Sequence, residues 1–129
     1  MRIGELAKAA GAKVETVRYY EGVGLLGAPA RSEANYRIYG QAQLDRLSFI
    51  RRARALGFSL DEVRQLLHLA DDRDRSCAAV DTLARAHREA VDRKIADLQA
   101  LRRELDGLVE ACPSRVIGDC RIIEALGAR

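Results

Sequence analysis

The run from Ser76 to Cys120 constrains this chain most, because its apolar positions repeat every seven residues over about ten helical turns. On a heptad grid one core position reads Cys77, Ala84, Val91, Leu98, Leu105, Cys112, and the other reads Val80, His87, Lys94, Leu101, Leu108. Only His87 and Lys94 interrupt a seam of the kind that buries one long helix against another. Cys77 and Cys112 are 35 residues apart, so both thiols face that seam at opposite ends, roughly 52 Å apart along an unbroken helix. One chain cannot join them while the helix holds. Two copies lying antiparallel would do so twice, each end of the pair setting Cys77 of one protomer beside Cys112 of the other. Cys120, eight residues beyond Cys112 in a loop, offers a third sulfur.

A chain of 129 residues suffices for one small domain and an extended helix, and is short for two independent cores. No apolar run reaches membrane-spanning length, and the start is amphipathic (Ile3, Leu6, Ala7, Ala10) rather than a signal peptide. A cytoplasmic location with no membrane partner is therefore expected. Three cysteines are an odd count for a disulfide scaffold; in a reducing compartment they read as thiols available for metal or redox chemistry. Net charge is +3, but residues 1–60 hold ten Lys/Arg against five Asp/Glu, while 61–129 hold twelve against fourteen. The front half is the end that would face a polyanion.

That front half begins with a short helix over Ile3 to Ala10, a turn at Gly11, and a second helix from Val14 through Val17 and Glu21, stopping near Gly22 and Gly24. Two short helices joined at a glycine are a helix-turn-helix pattern. Lys13, Glu15, Thr16, Arg18 and Tyr19 are expected to face outward, with Val14 and Val17 inward. Pro29, a polar tip at Arg31 to Asn35 and the run Tyr36, Arg37, Ile38, Tyr39 read as a β-hairpin wing. A third helix carries Leu44, Leu47, Ile50 and Ala53. Ser59 and Glu62 form a capping box for a fourth, through Leu60, Val63, Leu66 and Leu67. The charged run Asp71 to Arg75 reads as a hinge, Pro113 as the stop of the long helix, and Ile122, Ile123 and Leu126 as a last amphipathic turn.

These segments resemble the MerR family of bacterial metal-responsive transcription regulators. The likeness rests on Ile3-Gly4-Glu5-Leu6-Ala7-Lys8, on Thr16-Val17-Arg18-Tyr19-Tyr20-Glu21 followed by Gly24-Leu25-Leu26, on Asn35-Tyr36-Arg37-Ile38-Tyr39 and on Arg54-Ala55-Leu56-Gly57-Phe58-Ser59-Leu60-Asp61-Glu62. It implies a mainly α fold: a winged helix-turn-helix head over 1–75, a dimerisation helix over 76–111 forming an antiparallel coiled coil, and a metal-binding loop with a short helix over 112–129. By that resemblance Arg18 and Tyr19 lie on the recognition helix, Tyr36, Arg37 and Tyr39 on the wing, and Arg54 near the DNA backbone. Guanidiniums and phenolic hydroxyls can hold phosphate oxygens and fix register, while a few recognition-helix groups reach base edges. Lys13 stands where a capping Ser or Asn is more usual and could add a phosphate contact; Thr16 joins the same outward face.

Thiolates select soft ions over hard cations. Regulators of monovalent copper, silver or gold resemble this chain in the Cys112 to Cys120 spacing but usually lack a cysteine at the position of Cys77, whose presence looks like the divalent class. The loop Pro113 to Asp119 has no histidine and no further cysteine, unlike the zinc regulators, and three sulfurs favour Hg(II), Pb(II) or Cd(II) over Zn(II), which commonly wants a fourth ligand. The expected site is Cys112 and Cys120 with the partner protomer's Cys77. His87, ten residues from Cys77, is expected in the seam beside the site and not as a ligand. The resemblance further implies a homodimer on promoter DNA that represses without metal and, with it, distorts the DNA so that RNA polymerase engages. Two alternatives stay open: a thiol redox sensor on the same scaffold, and a metal-binding protein without a DNA role. No nucleophile-base pair or phosphate loop points to an enzyme.

Overall fold

The computed structural model describes residues 1–27, 29–112 and 115–127. The chain divides into two compact units, Met1–Val80 and Asp81–Arg129.

The first unit opens with α1 (Ile3–Ala10), whose amphipathic face buries Leu6 and Ala7. It ends at Gly11, in the left-handed region at φ 68°, with its N–H on the carbonyls of Ala7 and Lys8. A side chain there would be strained, and its Cβ would come within 3.0 Å of the Arg51 guanidinium. Next comes α2 (Val14–Gly22), with Val17 and Tyr20 buried. The wing is a pair of two-residue strands, β1 (Ala30–Arg31) and β2 (Arg37–Ile38), antiparallel with Ala30 opposite Ile38 and Arg31 opposite Arg37. Its tip is closed by the Asn35 N–H on the Ser32 carbonyl at 2.8 Å, with Asn35 at φ 65°, a conformation asparagine tolerates.

From Gly40 the chain enters α3 (Gln41–Ala55), which buries Leu47, Ile50 and Ala53. Then α4 (Leu60–Ala70) starts at the expected capping box: the Glu62 N–H donates to Ser59 Oγ at 3.1 Å, and the Ser59 N–H to Glu62 Oε1 at 2.9 Å. Helix α1 packs on α2 and α3, and α3 on α4. Leu6, Val17, Leu25, Leu26, Leu47, Ile50 and Val63 are completely or almost completely buried between them, each worth about 1.5–3 kcal/mol through removal from water.

Three arginines serve this unit internally, Arg46 and Arg51 from the basic front half and Arg64 just beyond it. Arg51 donates to the Ala10 carbonyl at the end of α1. Arg46 Nε reaches the Leu25 carbonyl at 2.7 Å, and Arg64 the Val23 carbonyl, just past α2, at 2.8 Å. Helix ends leave carbonyls unsatisfied and carry partial negative charge, so a guanidinium there supplies both a donor and a countercharge. Part of the positive charge thus helps hold the fold together.

The boundary between the units falls within α5 (Ala78–Glu110), 33 residues without a break. Cys77 immediately precedes it, and Ser76 Oγ accepts the Ala78 N–H at 3.2 Å. None of its side chains is buried. From Val91 onward the seam positions Val91, Leu98, Leu101 and Leu105 are exposed, Leu98 at 64%, and Ile95 and Val109, which lie beside the seam, are exposed as well. The expected stop at Pro113 lies outside the described residues. A single 3-10 turn at Ile117–Asp119 leads through Cys120 into α6 (Arg121–Ala125), where Ile122 and Ile123 are half-buried and the following Leu126 is exposed. Among the described residues no helix is long and apolar enough to cross a membrane.

Candidate nucleic-acid interface and thiol pair

On α2 the exposed side chains are Lys13, Glu15, Arg18 and Tyr19, with Thr16 half-buried. Lys13 is the residue at the N-cap, extended at φ −87°, and its side chain makes no capping hydrogen bond. Its ammonium can only donate, so it cannot satisfy the N–H groups of the first turn as a serine would. Tyr36 on the wing is half exposed, with the Arg2 guanidinium 3.8 Å from its ring centroid, a cation-π contact that fixes both groups. Arg37 donates to Glu21 Oε2 at 2.6 Å. Arg54 is exposed and donates to the Phe58 carbonyl at 2.9 Å, which ties it to the turn after α3.

Tyr39 departs from the expectation of a surface residue. It is 1% exposed, and its hydroxyl donates to Glu21 Oε1. The alternation along Tyr36, Arg37, Ile38 and Tyr39 breaks at the strand end: β2 stops at Ile38, and the Tyr39 ring joins the core. Burial, reinforced by the hydrogen bond to Glu21, pushes the Tyr39 hydroxyl above its ordinary pKa. A group whose folded pKa is raised contributes stability that is complete below the unfolded value of about 10 and is lost as pH rises through the folded value. The stability advantage of the parent over Tyr39→Phe, measured by urea unfolding, is accordingly expected to shrink as pH passes that point. A difference that stays constant with pH would contradict the assignment.

Between α2 and the wing lies a cavity of about 720 Å³ whose lining includes Arg2, Arg18, Arg31, Tyr36, Arg37 and Glu21. Sequence reasoning missed Arg2, Arg31 and Glu21 as parts of this face. The strand register sets Arg31 opposite Arg37, a pairing of like charges that is unfavourable by itself and that the sequence does not reveal.

Cys112 and Cys120 are brought together in the second unit. Their Sγ atoms lie 3.3 Å apart, both half-buried, and neither is in a disulfide. Cys77 is exposed and belongs to the first unit. Among the described residues no three His, Cys, Asp or Glu side chains of one chain converge as a metal site. His87 is half-buried on α5. Two sulfurs each about 2.3 Å from one ion in tetrahedral geometry are about 3.8 Å apart, so this pair needs to open by only about half an ångström. Soft donors, near-correct spacing and partial burial fit a soft metal ion.

A basic helix-turn-helix head with a wing, followed by a long helix that ends at a thiol pair, defines a DNA-binding transcriptional regulator. The chain matches the model of the MerR HTH family regulatory proteins over residues 1–70 and that of MerR DNA binding over 44–108, and it belongs to the MerR family. It is 44% identical to the HTH-type transcriptional regulator HmrR of Rhizobium leguminosarum bv. viciae, covering 98% of this chain and 97% of that one. The crystal structure of the transcription regulator PbrR691 from Ralstonia metallidurans CH34 in complex with lead(II) is similar at TM-score 0.87 and 49% identity, over 98% of this chain and 99% of that one. The dual-function regulator MerR from Bacillus megaterium MB1 in complex with mercury(II) matches at TM-score 0.76 and 42% identity, over 98% of both chains. Like these relatives, the chain is a regulator and not an enzyme.

Proposed function

We propose that this protein is a homodimeric, metal-responsive regulator of promoter DNA. In this reading residues 1–75 bind DNA, 76–111 form an antiparallel dimerisation helix, and 112–129 form the metal loop. Cys112 and Cys120, with the partner's Cys77, would hold a divalent soft ion such as Pb(II), Hg(II) or Cd(II), supplying three thiolates of negative charge around it. The observation that carries the reading is the 3.3 Å separation of Cys112 and Cys120 in a chain that also carries a helix-turn-helix head. The lead and mercury complexes of the two relatives support the choice of ion. Lys13, Thr16, Arg18, Tyr19, Tyr36, Arg37 and Arg54 contact DNA, and Tyr39 supports them from the core. His87 shapes the seam beside the third sulfur.

In the cytoplasm the metal-free dimer represses. Ordering of the Cys112 to Cys120 loop then changes which DNA shape the two heads favour, so that RNA polymerase can engage the promoter, a form of indirect readout. The test is an ultraviolet titration of thiolate-to-metal charge transfer with Zn(II), Cd(II), Pb(II) and Hg(II) on the parent and on Cys77→Ser. The serine variant is expected to lose divalent affinity by more than the ~10–100-fold that removal of an outer partner of a metal ligand costs. Unchanged binding would remove the third sulfur.

One observation favours a second reading. Sulfurs at 3.3 Å need to approach by only about 1.3 Å to reach disulfide length, so the same pair suits a thiol redox sensor. Thiol counts before and after peroxide, set against the metal titration, separate the two.

A further inference from the structure

Glu21 is an acidic side chain lining a cavity that also carries four arginines, Arg2, Arg18, Arg31 and Arg37. A carboxylate in such a place repels phosphate, so its presence calls for a compensating role. Its two oxygens are both engaged, and by different partners: Oε1 accepts the hydroxyl of Tyr39, and Oε2 accepts Arg37 at 2.6 Å. The carboxylate is recessed, with its side chain 10% exposed, while the Arg37 side chain is 47% exposed. Tyr39 itself is locked in the core at 1% exposure, so the carboxylate is anchored from below and cannot follow the guanidinium outward.

Glu21 lies on α2 and Arg37 on β2. The Arg37 guanidinium, carried on a short two-strand wing, meets this carboxylate at 2.6 Å and also interacts with the Tyr39 hydroxyl behind it, and the carboxylate is the contact that ties it to the recognition helix. A guanidinium has five donors in a rigid fork, and one edge gripped by a carboxylate leaves the other free for a second anion.

We infer that Glu21 is a positioning residue of the DNA-binding face: anchored by Tyr39, its carboxylate buttresses Arg37 so that the outer edge of that guanidinium meets a DNA backbone phosphate at a fixed distance from the recognition helix. The inference rests on the DNA-binding reading above. It predicts that removing the negative charge of Glu21 weakens binding to a polyanion, the opposite of what simple charge counting gives. The effect must pass through Arg37.

The experiment is equilibrium binding of the full-length protein to a labelled mixed-sequence duplex of about 30 base pairs, followed by fluorescence anisotropy between about 50 and 200 mM salt. Glu21→Gln, Arg37→Ala and the double variant form a cycle with the parent. Glu21→Gln is expected to weaken binding about fivefold in the parent and to flatten the dependence of log affinity on log salt by up to about 0.9 for each head on the DNA, the increment of one phosphate contact. In the Arg37→Ala background the same change is expected to leave binding unchanged or to tighten it, because only the repulsion remains.

Equal weakening in both backgrounds overturns the inference and makes Glu21 a residue of the fold alone. Tighter binding by Glu21→Gln in the parent also overturns it, since the carboxylate would then compete with phosphate for Arg37. Should Glu21→Gln fail to fold, Tyr39→Phe keeps the carboxylate and removes its anchor. A smaller loss of affinity that disappears in the Arg37→Ala background is expected there, and a loss that persists overturns the inference. A parent protein with no affinity for the duplex at any salt refutes the DNA-binding reading itself, a different result from any of these.

Discussion

Replacing Leu98 and Leu105 together by glutamate is expected to turn a two-chain particle into a one-chain particle in sedimentation or light scattering. Both leucines stand on the open side of α5, at 64% and 60% exposure, in line with Val91 and close to Ile95 and Leu101. A free helix with such a stripe is unstable in water, because most helical stability in proteins comes from packing an amphipathic face. Two copies would bury four leucine side chains between them, roughly 6–12 kcal/mol of dimer stabilisation, and the variant replaces each with a carboxylate that has no partner in the seam. Burying those unpaired carboxylates adds a desolvation cost to the lost apolar burial. DNA affinity is expected to fall in parallel, since two heads held on one frame bind far more tightly than either alone. A variant that stays two-chain would show that α5 is not the dimer seam.

Serine at Cys112 or Cys120 is expected to abolish high-affinity binding of Cd(II), Pb(II) and Hg(II), by more than about 100-fold, while leaving metal-free DNA binding unchanged. In the proposed site each of these residues would carry half of a chelate, their sulfurs lying 3.3 Å apart. The second sulfur therefore meets the ion at the high effective concentration of an intramolecular partner, and removing either one forfeits that advantage. A hydroxyl is also a harder donor than a thiolate and stays protonated at neutral pH. The loss is expected to exceed that from Cys77→Ser, whose sulfur would come from the partner protomer in the proposed site. The charge-transfer band reads the metal arm and anisotropy on duplex DNA reads the other. Retained metal affinity in Cys112→Ser would move the site elsewhere, and a parallel loss of DNA affinity would make the cysteine structural.

Much of the head was legible in the sequence because local signals and burial agree there. The Ser59 and Glu62 box starts α4 where expected, and the turn at Gly11 ends α1 because a left-handed residue is needed there. The apolar period over α5 marked both its length and the face left open. Tyr39 was misjudged for a definite reason. Alternation along a strand says which side a residue takes only while the strand lasts, and β2 ends one residue earlier.

What the sequence alone determined is therefore the order of elements, the continuous long helix and the spacing that allows Cys112 and Cys120 to meet, since each depends on neighbours a few residues apart. What only the tertiary structure decided is which partner each charged group takes. Arg51 caps α1 from 41 residues away, Arg64 reaches Val23 across the same separation, and Glu21 grips Arg37 and Tyr39. A guanidinium or carboxylate carries no periodic signal of its partner, because the pairing is chosen by where the packed helices bring its reach to an unsatisfied oxygen or donor.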